Sequence, residues 1–451
     1  MPSDRPVSDN RQQVSVPRER PHRRDALRPG GIKGIVLAGV HSWGNCVLEQ
    51  VAPRSLLPVA DRPLVVHVLT WLREAGVSSA SICANSDTVA LRRALGNGEV
   101  WGTALDYYED VMPRGPAGCV RDAAGQSDWD TYIVADAAII PRLALDDALR
   151  EHEATGAALT VIASESLPSS NHQEGLLEPT GIYVFSRRVL GYIPATGYQD
   201  IKEALIPRLH AHGEAVVTHA IPRNQIARVT GIPSYLAVNK WAVARLAAQP
   251  VLVRDYVPSR LSLPWNPSST SRDGDAPYVK RGEAWIHRSA EVAETARLVG
   301  PVLIGPGCRV GSGVLIAGPT ALGEGCQIDE QAVISRSFLW CGCHVGARSV
   351  VDHSVLTDHA YLARGRRATE EVVVSEDWSL RRRLFGSRNG RPNKRVASVA
   401  ARTADETRSL SIPLAVKARP LASAVVGDFA PVVGPRSDAA GRWAPAPVES
   451  K

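Results

Sequence analysis

The chain has 451 residues, of which 44% are hydrophobic, and a formal charge of +6. That length has room for two or three domains with real cores, and no apolar run reaches the length needed to span a bilayer. Seven cysteines without a Cys-x-x-Cys pair do not make a disulfide framework, so a reducing cytoplasm is the expected compartment.

In chain order, residues 1–31 are polar and basic, with Arg11, Arg18, Arg20, Arg23, Arg24 and Arg28. They lack the apolar core of a secretory signal and read as disordered. From Ile32 to Leu246 short apolar runs alternate with amphipathic stretches. Ile32–Ala38 reads as a buried strand. Arg62–Ala75 reads as a helix, with Pro63 in its first turn and Gly76 just past its end. The next expected strand is Ser79–Ala84 and the next helix Asp87–Leu95. Later strands are Thr131–Ile140, Ala157–Ala163, Gly181–Phe185 and Ala215–Ile221, and later helices Pro141–Ala154, Asp200–His212 and Pro233–Leu246. This alternation predicts an α/β domain over 32–246, with a mostly parallel mixed sheet covered on both faces.

Residues 247–283 hold Pro250, Pro258, Pro264, Pro267 and Pro277 among several serines and read as a linker. A six-residue rhythm follows over 284–365. Aliphatic residues fall at Ile286, Val292, Leu298, Ile304, Val310, Ile316, Leu322, Ile328 and Ile334. The phase slips by one near Ile334 and resumes at Leu339, Val345 and Val351, ending at Thr357. This is similar to the hexapeptide repeat of left-handed parallel β-helices, in which each aliphatic residue points inward and stacks on its counterpart one coil later. Cys308, Cys326 and Cys343 keep the rhythm and are expected as small buried hydrophobes. Residues 366–451 read as a mainly disordered basic tail, with Asp377–Phe385 as a short amphipathic helix. Both basic ends are expected to make at most weak contact with anionic surfaces.

The stretch from Gly34 to Ala60 resembles, without a gap, the signature of the sugar-1-phosphate nucleotidylyltransferases: Leu-Ala-Gly-Gly-x-Gly-Thr-Arg-Leu-x-Pro-Leu-Thr-x-x-x-Pro-Lys-Pro-Leu-Leu-Pro-Val. Leu37, Ala38 and Gly39 match its front, and Pro53 with Leu56-Leu57-Pro58-Val59 its back. Arg114-Gly-Pro-Ala-Gly-Cys-Val-Arg121, Thr180-Gly-Ile-Tyr-Val-Phe185 and Gly231-Ile-Pro-Ser-Tyr-Leu-Ala-Val-Asn239 are similar to later family segments in the same order. The resemblance covers 32–365 and implies a Rossmann-like nucleotidyltransferase domain followed by the β-helix. The implied reaction joins a sugar-1-phosphate to the α-phosphorus of a nucleoside triphosphate and releases pyrophosphate. That reaction depends on positioning and charge neutralisation, with Mg²⁺ held by two carboxylates.

The frame is kept and the chemical positions are altered. Val40 and Ser42 stand for glycines, Trp43-Gly44 for the Thr-Arg pair, and Arg54 for the lysine. The family's first metal carboxylate aligns with Ala138, two residues after Asp136, and the second with Val229-Thr230. By resemblance the site residues are Arg54 as the catalytic cation, Leu37, Ala38, Gly39, Gly118 and Asp136 toward the nucleotide, and Gly181 toward the sugar, with no residue assigned to a metal. The expected function is a weak or non-catalytic nucleotide-sugar-binding or regulatory homologue, forming a homo-oligomer or a hetero-oligomer with an active homologue. Mg²⁺ is expected only if catalysis survives. The alternatives are an active nucleotidyltransferase and a hexapeptide-repeat acyltransferase using His287, His344, His353 or His359.

Overall fold

The computed structural model describes residues 31–39, 46–60, 62–85, 87–110, 112–125, 129–165, 177–248, 278–375 and 409–413. The expectations for Val40, Ser42, Trp43, Gly44, the first thirty residues, 249–277 and the Asp377–Phe385 helix lie outside the described residues.

The first domain is built on a seven-stranded sheet. Its spatial order is Val216–Ile221, Leu159–Glu165, Leu177–Ser186, Thr131–Asp136, Ile32–Leu37, Ser79–Ala84, Ala104–Glu109. Every pairing is parallel except those of Leu177–Ser186, which runs antiparallel to both neighbours. Ile32–Leu37 is followed in sequence by strands on one side and by Thr131–Asp136 on the other. The order therefore reverses beside it, and in open α/β sheets such a reversal opens a crevice at the carboxyl ends of the strands. The helix Leu64–Glu74 buries Val65, Val68, Leu69 and Leu72 against this sheet. Trp71 closes the same core and donates its indole N–H to the Leu143 carbonyl at 2.8 Å.

Several expected boundaries shift: the helix expected over Pro141–Ala154 begins at Leu145, and the strand expected over Gly181–Phe185 spans Leu177–Ser186. The strand expected over Thr131–Ile140 breaks after Asp136, whose side chain accepts a hydrogen bond from the Ala138 N–H at 2.8 Å and so forms an Asx turn. The chain resumes as Ile139–Pro141, paired antiparallel with Ile226–Arg228. The helix Ile232–Ala248 runs two residues beyond Leu246. Asp200 caps the turn that follows it: its side chain accepts from the N–H groups of Lys202 and Glu203.

The second domain is a parallel β-helix of three stacked sheets. Coil partners lie eighteen residues apart at first (Ile286 with Ile304, Ile304 with Leu322). They lie seventeen apart thereafter (Leu322 with Leu339, Leu339 with Leu356, Leu356 with Val373). The short edge thus recurs in each later coil, and Leu356 takes the strand position that the rhythm assigned to Thr357. The shortening falls at one corner, where the pairs Gly300-Pro301 and Gly318-Pro319 give way to the single residues Arg336, His353 and Glu370, at φ of 47°, 51° and 53°. The coil also outlasts the expected end at Gly365. Arg367–Thr369 and Glu371–Ser375 continue it, with Ala368 and Val373 buried. Two antiparallel strands flank the longest sheet: Tyr278–Arg281, inside the expected linker, and Ser409–Pro413, inside the expected tail. They cover edges that would otherwise be open to pairing.

Inside the coil the three rhythmic cysteines are fully buried, and their thiols donate to the carbonyls of Gly323, Trp340 and Thr357. The hydrogen bond with Cys326, and then burial, raise the Cys308 thiol well above the ordinary range, and burial raises that of Cys326. Glycine follows an inward residue where coils nearly touch: a Cβ on Gly323 would lie 2.8 Å from the Trp340 carbonyl carbon and 3.0 Å from the Cys341 nitrogen. Both are backbone atoms and cannot swing aside. Gly323→Ala is therefore expected to cost about 1–3 kcal/mol of stability, read from urea unfolding; an unchanged midpoint would contradict this packing.

The domains share one apolar core. Trp285, Leu303, Ala321, Phe338, Val355 and Val372 form an outward stripe on the coil and pack with Leu236, Val243 and Leu246 of the long helix and with Leu57 and Val59.

Candidate active site

The crevice is framed by the ends of Ile32–Leu37 and Thr131–Asp136, which are in register at Leu37 and Asp136. Leu37 is buried, and its carbonyl accepts from the Ala137 N–H at 3.0 Å. The Ala38 N–H donates to Cys83 O at 2.7 Å, and Gly39 rests against Asn85, whose amide donates to Gly39 O at 3.2 Å. These bonds hold the entry to the signature loop against the neighbouring strand end.

Gly118 lies on the helix Gly115–Ala124, beneath Arg114, and a Cβ there would meet the Arg114 Cβ at 2.6 Å. The helix start is fixed by Gly115, at φ 74°, where any Cβ would come within 2.5 Å of the Gln199 carbonyl oxygen. Arg114 donates to Asp122 at 2.7 Å and to Pro194 O at 3.2 Å. Cys119 donates to Asp110 at 3.2 Å, and burial with that hydrogen bond pushes its thiol up to about 12. This thiol stays protonated at neutral pH and is no nucleophile.

Arg54 sits in a single helical turn, Arg54–Leu56, and donates twice to one oxygen of Glu49, at 2.6 and 3.1 Å. Both side chains are largely buried. The cation expected to meet phosphate oxygens is thus already engaged by a carboxylate, a partner that sequence reading missed.

Asp136, Gly181 and Arg228 converge. Arg228 donates one nitrogen to Asp136 Oδ2 at 3.0 Å and the other to Thr180 O at 2.5 Å. Gly181, at φ 84°, leaves the guanidinium its place, since a Cβ there would lie 2.5 Å from an Arg228 nitrogen and 3.1 Å from the Asp136 Cβ. Beside this pair the two aligned metal positions are neighbours: the Val229 N–H donates to Ala138 O at 2.9 Å. Ala138 and Val229 are 4% and 0% exposed and belong to one apolar cluster. Tyr183, close by, is held above its ordinary value by burial and then by Asp200.

Family models match two parts of the chain: a nucleotidyl transferase domain over residues 48–172 and a GMPPB C-terminal domain over residues 298–402. A mannose-1-phosphate guanylyltransferase of Mycobacterium tuberculosis is 24% identical over 62% of this chain and 77% of its own length. Along both domains the chain is similar to the sugar-1-phosphate nucleotidyltransferases. A glucose-1-phosphate thymidylyltransferase of Streptomyces griseus is 25% identical over 62% of this chain and 79% of its own length. A solved Bacillus anthracis structure, assigned as a glucose-1-phosphate thymidylyltransferase and holding sucrose, is 19% identical over 47% of this chain and 95% of its own, at a TM-score of 0.40.

The family's Mg²⁺ does not fit the residues present. Both oxygens of Asp136 have protein partners, and the positions aligned with the two family carboxylates carry a methyl group and an isopropyl group. Among the described residues no group of three or more His, Cys, Asp or Glu side chains is placed to hold a metal. In the segment Gly231–Asn239 two side chains tie the first domain together and to the coil. Tyr235 donates to Pro58 O and accepts from the Trp340 indole, while Asn239 Oδ1 accepts from the Ala60 N–H.

The four coil histidines each have a local neighbour. His287 bonds Ser289, His344 bonds Asp329, His353 bonds Lys240, and the His359 ring covers Gly342. Among the described residues no helix is long and apolar enough to cross a membrane.

Proposed function

We propose that the chain binds a nucleotide sugar in the crevice at the ends of Ile32–Leu37 and Thr131–Asp136, and that it does not carry out nucleotidyl transfer at a useful rate. The observation that carries this reading is the contact between Ala138 and Val229. The backbone still brings the two metal positions together, and neither side chain can ligate a cation. The engagement of Arg54 by Glu49 supports it further, because the Arg54 side chain is only 15% exposed and presents little surface to a triphosphate beside its carboxylate partner. Removing a single preorganised charge-stabilising donor lowers rates by roughly 10²–10³-fold, and here several positions are altered together. The role that fits is regulation of an active homologue, through a hetero-oligomer, or of a second copy of the same chain. Free thiols at all seven cysteines support a cytoplasmic setting.

The test is pyrophosphate release from mixtures of Mg²⁺, nucleoside triphosphates and sugar-1-phosphates. The expected result is no release above the protein-free control. Release that continues over many turnovers and disappears in Arg54→Ala would overturn the proposal and make the chain an active nucleotidyltransferase.

A further inference from the structure

We infer that Arg228 takes the electrostatic place of the family's divalent metal, so that the crevice holds the diphosphate of a nucleotide sugar on a fixed guanidinium without needing magnesium. This inference rests on the nucleotide-sugar reading above.

The geometry is that of a built cation. Two anchors from different strands fix the guanidinium plane: Asp136 Oδ2 at 3.0 Å and the Thr180 carbonyl at 2.5 Å. Asp136 is itself held by the Ala138 N–H at 2.8 Å, so it acts as a positioning residue. Gly181 vacates the volume that the guanidinium occupies. A guanidinium carries five N–H donors, of which those two bonds use two. The Arg228 side chain is 38% exposed, which leaves its remaining donors open to a ligand. Planar, charge-assisted forks of this kind suit phosphate oxygens.

The same pair acts against a metal. A dication brought to Asp136 would have to displace a guanidinium 3.0 Å away or suffer its repulsion. The neighbouring positions Ala138 and Val229 offer no oxygen side chain in exchange. A permanent internal charge thus stands where the family's reaction needs an ion that bridges attacking and leaving oxygens. An arginine can bind a diphosphate, but it cannot take over that bridging.

The experiment is calorimetric titration of the full chain with GDP-mannose and with dTDP-glucose, in EDTA and in millimolar magnesium. The expected wild-type affinity is the same in both buffers. Arg228→Ala should bind at least about ten-fold more weakly in EDTA, the scale of one charge-assisted bond, and Arg228→Lys should recover part of the loss. In Arg228→Ala, with Asp136 uncovered, magnesium should restore some affinity, a response that a purely structural role would not produce. Thermal unfolding of both variants confirms that they are folded. Wild-type binding that requires magnesium, or Arg228→Ala binding as tightly as wild type in EDTA, overturns the inference and leaves the nucleotide-sugar reading standing. Failure of the wild type to bind either nucleotide sugar in either buffer overturns both.

Discussion

Tyr235→Phe is expected to unfold with about 2–4 kcal/mol less stability than the parent chain, a large loss for one oxygen atom. Tyr235 is fully buried, and its hydroxyl donates to Pro58 O at 2.5 Å while accepting the Trp340 indole N–H at 3.0 Å. Phenylalanine keeps the ring and strands both partners in an apolar cluster, where each unpaired group carries its full desolvation cost. The hydroxyl also joins three parts of the molecule: the end of the signature segment, the long helix and the coil. Urea unfolding of Tyr235→Phe, Trp340→Phe and the double variant checks this. The two substitutions should couple by at least about 1 kcal/mol, because the double variant leaves no unpaired indole N–H. Strict additivity would show that the hydroxyl does not tie the coil to the first domain.

These contacts mark where the sequence was readable and where it was not. The inward residues of the coil stand out because each sees only the stacked interior, so Ile286, Ile304 and Leu322 repeat with the backbone. The outward stripe that docks on the first domain, from Trp285 to Val372, has nearly the same spacing, yet nothing local says what it faces. The recurring short edge was also hidden. At its corner Arg336, His353 and Glu370 adopt positive φ, and none of these residue types announces a left-handed corner as glycine would. At the site, the empty metal positions were visible as Ala138 and Val229 standing where acids belong. Their contact is not legible there, because it depends on the pairing of Ile139–Pro141 with Ile226–Arg228, and the apolar run Thr131–Ile140 shows no break in sequence where the Asp136 turn divides it. The same pairing carries Arg228 to Asp136. Nothing local in the sequence marks Arg228; in the fold it is the partner of the carboxylate.

The second large effect is acid sensitivity set by His67, which stands among the valines of the helix Leu64–Glu74. Its Nε2 is buried without a hydrogen-bond partner, and the ring bonds the Val59 backbone. Burial, and then the positive charge of Arg62 with a smaller push from Arg245, lower its pKa from 6.5 to about 3. The unfolded chain therefore takes up this proton at a higher pH than the folded chain does. The stabilisation is complete above the unfolded value near 6.5 and is lost as the pH falls toward the folded value. At about pH 4.5 the loss from this one group is roughly 2–3 kcal/mol, since each pH unit between the two values is worth about 1.4 kcal/mol. Carboxylates add their own acid dependence, and burial lowers His353 in the same direction, so the wild-type curve alone does not isolate the term. His67→Gln keeps a donor for the Val59 backbone and does not titrate. Unfolding free energies of the two proteins, measured from neutral pH down to about pH 4.5, should converge by roughly that amount as the solution is acidified. Parallel curves would mean that His67 is protonated in the folded state, and that the arginines around it do not hold it neutral.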